Sequence, residues 1–299
     1  MDGPHKTFTQ DTIALVYDFD GTLSPESMQD YTVLPKLGIK PVEFWTEVNR
    51  QSKALGEESM LTYMRLLCEK ANQKEVHIGR DEFKQLGKNV KYFPGVEGWF
   101  DRINRFIADA SNKQIKIRHY IISAGLKEIL DGVGIRKHFH NIFASEYHYN
   151  HLKAATFPKL LITDTSKTQF LFRINKGKED ITESINSHMP PEDRPIPFEN
   201  MIYIGDGETD VPSMTVTRQS GGNAVAVFKP GKSQKAKRTQ AICRSLLEAG
   251  RVNFIAPADY STNSVLERRV RLLLSSVMAR IEYEREHFQC RKENGLLGG

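Results

Sequence analysis

Two short segments hold the residues best suited to chemistry. Residues 16–23 read V-Y-D-F-D-G-T-L, and residues 203–210 read Y-I-G-D-G-E-T-D. Each is an apolar, partly β-branched run that ends abruptly in carboxylates and glycine. That is how a buried strand reads where its C-terminal end opens into a site. Asp18, Asp20, Asp206 and Asp210, delivered to one place, are costly to hold together. A divalent cation is the usual compensation, and all-oxygen ligation points to magnesium. Asp18 and Asp20 can both reach one site if the backbone curls between them, which Gly21 permits. One carboxylate can attack phosphorus and become an acyl phosphate. The other can protonate the leaving oxygen and then deprotonate the water that clears the intermediate.

Further along, I-I-S-A-G over residues 121–125 ends another apolar run in small residues. Ser123 offers a hydroxyl, Ala124 and Gly125 offer backbone N–H groups, and a helix starting at Leu126 would add positive charge at its N-terminus. A phosphate facing Asp18 also needs a cation. The segment D-T-S-K-T-Q-F-L-F-R-I-N-K-G over residues 164–177 supplies two candidates, Lys167 and Lys176.

Taken in order, these motifs resemble those of the haloacid dehalogenase-like superfamily of aspartate-nucleophile phosphohydrolases, in its helical-cap, phosphoserine-phosphatase-like branch. The resemblance spans the whole chain. It implies an α/β fold: a Rossmann-like parallel sheet core, residues 1–24 and 92–299, with an inserted helical cap, residues 25–91. It implies Asp18 as nucleophile, Asp20 as acid and base, and Ser123, Ala124, Gly125 and Lys167 around the phosphate, with Lys176 as the competing lysine. It implies Mg2+ held by Asp18, the Asp20 carbonyl, Asp206 and Asp210, the last binding directly, through water, or by orienting Asp206. The expected activity is hydrolysis of a phosphomonoester of a small metabolite through an aspartyl-phosphate. A phosphotransferase or phosphomutase keeps the same residues, and a non-catalytic phosphate-binding regulator is the alternative of another class. Asp20 favours ester hydrolysis over dehalogenation, because an alkoxide needs a proton and a halide does not.

Five segments have the pattern of buried strands: Ile13–Asp18, Arg118–Ile122, Met201–Gly205, Ala224–Phe228 and Val252–Ile255. Amphipathic helices alternate with them, over Glu97–Ala108, Leu126–Val133 and Lys167–Asn175. Alternation of this kind predicts a parallel sheet covered on both faces, with the site beyond the strands' carboxyl ends. Residues 25–91 read instead as helices over Pro41–Leu55, Glu57–Asn72 and Arg80–Lys91, joined to the core by flexible segments at Leu23–Glu26 and Tyr92–Gly95. Within that insert Glu26, Gln29, Asp30, Arg50, Lys53 and Arg65 are candidates to face the site. Ile142–Ile162 suggests a strand and a hairpin, and Gly177–Glu199 a long surface loop. A final helix over Ser264–Phe288 carries an apolar stripe that packs on its own domain or on a second copy, so monomer and homodimer both stand.

The 299 residues are enough for a large core, and 39% hydrophobic with 26% charged is ordinary for a globular protein. No apolar run approaches the roughly 20 residues of a membrane span, and the N-terminus lacks the apolar stretch of a secretory signal. Cys68, Cys243 and Cys290 are too scattered for a disulfide framework or a zinc site, which suggests a reducing, cytoplasmic setting. The net charge of +5 is concentrated in Lys229–Arg238, a solvated basic segment without the aromatic interleaving of a nucleic-acid surface. The partner that the resemblance implies is a small phosphorylated metabolite, and composition and charge favour neither membrane nor nucleic acid.

Overall fold

The computed structural model describes residues 7–296. The reading of the N-terminus and the outer ends of the core unit fall partly on residues 1–6 and 297–299, outside the described residues. Seven strands form one sheet in the order β4-β3-β2-β1-β5-β6-β7. They are β1 (Thr12–Tyr17), β2 (Lys116–Leu126), β3 (Phe139–Tyr149), β4 (Ala155–Leu160), β5 (Met201–Gly205), β6 (Asn223–Phe228) and β7 (Phe254–Pro257). All neighbours pair in parallel except β3 and β4, the expected hairpin. The order reverses at β1: the chain proceeds outward through β2 and β3, then returns to β5 on the other side. A crevice for a ligand opens at such a switch point, beyond the strands' carboxyl ends.

Between β1 and β2 the insert runs through α1 (Met28–Tyr31), α2 (Val33–Lys36), α3 (Pro41–Leu55), α4 (Ser59–Gln73) and α5 (Arg80–Leu86), followed by α6 (Val96–Ala110). Later helices are α7 (Lys127–Leu130), α8 (Lys167–Lys176), α9 (Val211–Gln219), α10 (Gln234–Glu248) and α11 (Val265–Glu293). Parity along β1 divides the core in two. Ile13, Leu15 and Tyr17 pack against Trp99, Phe100, Ile103 and Ile107 of α6 and the α11 stripe from Leu266 to Ile281. Ala14 and Val16 face the other way, toward Phe170, Leu171 and Ile174 of α8, Met214 of α9 and Leu246 of α10. The α11 stripe is thus spent inside its own chain.

The first face is pinned directly before Asp18. The Trp99 indole N–H donates to the Tyr17 hydroxyl at 2.9 Å, which lies 3.1 Å from His119 Nδ1, while His119 Nε2 lies 2.8 Å from Asn104 Oδ1. Burial holds the His119 imidazole down to about 3, so it is neutral, and the chain of donors runs from α6 through β1 and β2 and back.

Three expectations change. The helix expected over Leu126–Val133 is only Lys127–Leu130, because β2 runs on to Leu126, which pairs with Ser145 of β3 and is fully buried. Gly132 and Gly134 then deny the helix its continuation. The strand expected over Val252–Ile255 lies two residues later, since Ala256 pairs with Val227 and the Asn253 side chain caps the Ala224 N–H at 2.8 Å. The joints of the insert are turns bonded to each other rather than strands: Leu23 and Ser24 are buried, and the Phe93 N–H donates to the Leu23 carbonyl at 3.0 Å. The insert is also fastened to the hairpin, by the Ala155 N–H to Ile78 at 3.0 Å and the Tyr147 hydroxyl to the Met64 carbonyl at 2.8 Å.

Candidate active site

The parity that sends Ala14 and Val16 toward α8 sends Asp18 the same way. Its own N–H still donates to the Ile204 carbonyl at 2.9 Å, so the β1–β5 ladder holds it in place. Asp18 is 5% exposed. Lys167, the first residue of α8 and 1% exposed, donates from Nζ to Asp18 Oδ1 at 2.8 Å and to Asp210 Oδ1 at 2.7 Å. Burial pushes the Asp18 carboxyl up to about 6 against the pull of Lys167, and Asp210 adds to the rise. Burial also works against the Lys167 charge, but Asp18 and Asp210 outweigh it and hold the ammonium well above its usual value.

Asp20 Oδ1 accepts from the Met28 N–H at 2.9 Å, so the start of the insert orients it. Burial, with the nearby Asp18 charge, holds its carboxyl well above the ordinary range. Gly21 sits at φ +82, and a Cβ there would lie 2.1 Å from Asp206 Oδ2. The turn of the first motif therefore closes directly on the second, and no side chain fits between. Asp206 is itself raised well above the usual carboxylate range by burial, Asp18 and Asp210.

Asp210 is fully buried and fully engaged. Oδ1 accepts from Lys167 and from the Tyr203 hydroxyl at 2.7 Å, and Oδ2 accepts from the Asp206 N–H at 3.1 Å. Gly205 makes room for it, since a Cβ there would lie 2.3 Å from Asp210 Oδ2. Oxygens of Asp18, Asp206 and Asp210 lie within 4.8 Å of one another. Four aspartates face one lysine here, which fits a hard divalent cation. Glu208 is exposed.

Ser123, 1% exposed, accepts at Oγ from the Gly125 N–H at 3.0 Å, leaving its hydroxyl proton free to donate. Ser123, Ala124 and Gly125 line one cavity of about 370 Å³ with Asp18, Asp20 and Lys167. The expected helix N-terminus does not back them, because the chain is still strand there. Lys176 is elsewhere: its Nζ donates to the Ile185 carbonyl at 2.6 Å and the Ser187 carbonyl at 2.9 Å, holding down the loop after α8.

From the insert, Glu26, Gln29 and Asp30 reach the cavity, whereas Arg50, Lys53 and Arg65 do not. Arg65 pairs with Glu57 at 2.9 Å and Glu69 at 2.7 Å. The basic segment is partly spoken for, because Lys229 and Lys235 both form ion pairs with Glu26. Sequence reasoning missed Tyr203, Asp164 and the insert side chains Trp45, Met60 and Tyr63. Tyr203 stood inside the second motif, and its parity with Met201 was the available signal; the insert residues carried none.

A family model described as haloacid dehalogenase-like hydrolase matches residues 15–215, from β1 through the Asp206–Asp210 segment. The chain belongs to that family. It is 27% identical over 288 residues to an uncharacterized protein of Borreliella burgdorferi, covering 86% of this chain and 94% of that protein. Among solved structures, a probable phosphoserine phosphatase from Vibrio cholerae superposes with TM-score 0.54 at 14% identity, over 92% of this chain and 68% of the other. A phospho-aspartyl intermediate analogue of phosphoserine phosphatase superposes with TM-score 0.52 at 14% identity, over 88% and 99%. At such identities these likenesses establish the shared fold of this hydrolase. No helix of the described residues is long and apolar enough to cross a membrane, and Cys68, Cys243 and Cys290 are free thiols.

Proposed function

We propose that the protein is a divalent-metal-dependent phosphatase that hydrolyses a phosphomonoester of a small metabolite through an aspartyl-phosphate on Asp18. One observation carries the reading: the Asp18 carboxylate lines the same cavity as Asp20, Ser123 and Lys167. Asp18 attacks phosphorus as the ester oxygen leaves, and Asp20 gives that oxygen its proton. Asp20 then takes a proton from the water that attacks the acyl phosphate, freeing inorganic phosphate and Asp18. The raised Asp20 carboxyl suits it to hold the first proton. Lys167, the Ser123 hydroxyl and the Ala124 and Gly125 N–H groups receive the phosphoryl oxygens. Asp210 and Tyr203 position Lys167 and Asp206.

Asp18, Asp206 and the Asp20 carbonyl would hold the cation, and magnesium is the choice that oxygen donors favour. When bound, it offsets the charge of the carboxylates and the phosphoryl group. The cavity stands at the small end of ligand pockets, which favours a metabolite over a phosphoprotein. The helical insert roofs it and supplies the contacts beyond the phosphoryl group.

The test is hydrolysis of a panel of phosphate esters with and without magnesium. Activity should vanish in excess chelator and return with Mg2+. Calcium should inhibit, since its larger, looser coordination sphere would compete for the Asp18 carboxylate that has to attack. Full activity in chelator would refute the metal requirement, and no turnover of any ester would refute the phosphatase reading. Asp20→Asn should lose far less activity on an aryl phosphate with a good leaving group than on an alkyl phosphate. Equal losses on both would make Asp20 structural.

A further inference from the structure

Met28 touches both ends of the proposed chemistry, although it is not among the residues that line the cavity. Every polar atom it has is engaged. Its N–H donates to Asp20 Oδ1 at 2.9 Å, its carbonyl accepts from the Thr32 hydroxyl at 2.7 Å, and its Sδ accepts from the Leu126 N–H at 3.3 Å. The side chain is fully buried. It lies so close to Gly125 that a Cβ there would be 2.1 Å from Met28 Cε and 2.8 Å from Sδ. One residue of the insert thus holds Asp20 with its backbone and the segment Ser123–Gly125 with its side chain. That segment needs a brace, because the pairing of β2 with β3 slips between Ser123 and Leu126. A slip of this kind disrupts the ladder and bends the strand. Met28 Sδ takes the N–H at the end of the slip. The Tyr63 hydroxyl of the insert and the Ser145 hydroxyl of β3 donate to the Ala124 carbonyl, at 3.3 Å and 3.1 Å. Methionine suits the place, since an unbranched, polarisable thioether fills an irregular gap.

We propose that Met28 is a positioning residue, which sets the Asp20 carboxyl and the segment that receives the phosphoryl oxygens at a fixed distance from each other. This rests on the phosphatase reading above and adds to it a residue that no motif marks. Asp20 Oδ1 is taken by the Met28 N–H, so Oδ2 is the oxygen left to carry the proton. The phosphoryl group follows Ser123, Ala124 and Gly125. If that segment shifts relative to Asp20, the ester oxygen moves out of line with the proton. An alkyl ester suffers from the shift, because its alkoxide needs the proton in order to leave. An aryl ester with a good leaving group departs without it and is far less affected.

The experiment measures kcat/KM of the full chain, with magnesium, on p-nitrophenyl phosphate and on the alkyl phosphate that the unmodified protein hydrolyses fastest. Met28→Leu nearly keeps the apolar volume and removes the sulfur acceptor. It should lose about tenfold or more on the alkyl ester, since a misplacement of about 1 Å can cost on the order of 10²-fold. On the aryl ester the loss should stay within about threefold. Equal losses on the two esters, the mark of a merely structural role, would overturn the inference, and so would no loss on either. Should Met28→Leu fail to fold, Gly125→Ala takes its place, because the added Cβ displaces Met28 from the opposite side. The same split is expected, and equal or absent losses would again overturn the inference. Hydrolysis of the aryl ester alone by the unmodified protein would overturn it too, leaving no proton delivery to position, while the phosphatase reading stands. No hydrolysis of any ester would overturn both.

Discussion

Asp18→Asn should lower turnover of every accepted phosphate ester by on the order of 10⁵-fold, the scale of losing a nucleophile. The amide keeps the shape of the carboxylate and leaves the β1–β5 backbone bond at this residue intact. Lys167 retains Asp210 as partner, so the fold should survive. What is lost is the oxygen nucleophile and its charge. A companion measurement on the unmodified protein quenches turnover in acid and reads the mass of the peptide containing Asp18, which should carry a phosphoryl group while substrate remains. In isotopically labelled water the heavy oxygen should appear in the released phosphate and not in Asp18, because water attacks at phosphorus and the bond that breaks joins phosphorus to the Asp18 oxygen. Asp18→Asn with activity within tenfold of the parent would remove Asp18 from the role.

Lys167→Met should cost both activity and stability. Its ammonium is the cation between two buried carboxylates, at 2.8 Å from Asp18 and 2.7 Å from Asp210. Removing one partner of a buried pair leaves uncompensated charge, typically about 3–5 kcal/mol of stability. Loss of a preorganised charge facing the phosphoryl oxygens should lower kcat by on the order of 10²–10³-fold. Magnesium should recover more stability in Lys167→Met than in the parent, because it offsets the same carboxylates. Denaturant unfolding with and without the cation measures this. Lys176→Met is the control: its ammonium holds loop carbonyls, so kcat should stay within about threefold. Equal effects of the two substitutions would return the phosphate-binding role to an open choice.

The insert is bonded to the core at several points. Its two joints are bonded to each other, Tyr63 donates to the Ala124 carbonyl at 3.3 Å, and α4 and the segment before α5 are bonded to the β3–β4 hairpin. Ion pairs from Lys229 and Lys235 to Glu26 add a second fastening, on the opposite side of the sheet's switch point. The wall that the insert gives the cavity is thereby positioned by the core itself.

Local signals were enough for the elements that carry the aspartates. Met201–Gly205 and Pro41–Leu55 have the bounds that their patterns predict, and β1 differs by a single residue. The reason is physical: a short β-branched run can be satisfied only by burial in a sheet, and its abrupt end in carboxylate and glycine can lie only at an opening. The α/β class and the helical nature of the insert followed from the same periodicities. Tertiary structure decided everything that depends on which distant groups meet. Lys167 rather than Lys176 reaches Asp18, 149 residues away, because α8 brings its first turn to the face that β1 parity assigns to Asp18. Asp210 accepts from Lys167, Tyr203 and the Asp206 N–H because a fully buried carboxylate must use every donor within reach. Leu126 stays in β2 because pairing with β3 outweighs the local pattern of a helix. Gln29, Asp30 and Trp45 face the cavity, while Arg50, Lys53 and Arg65 do not, because helix periodicity separates buried from exposed faces but does not say what a face is buried against.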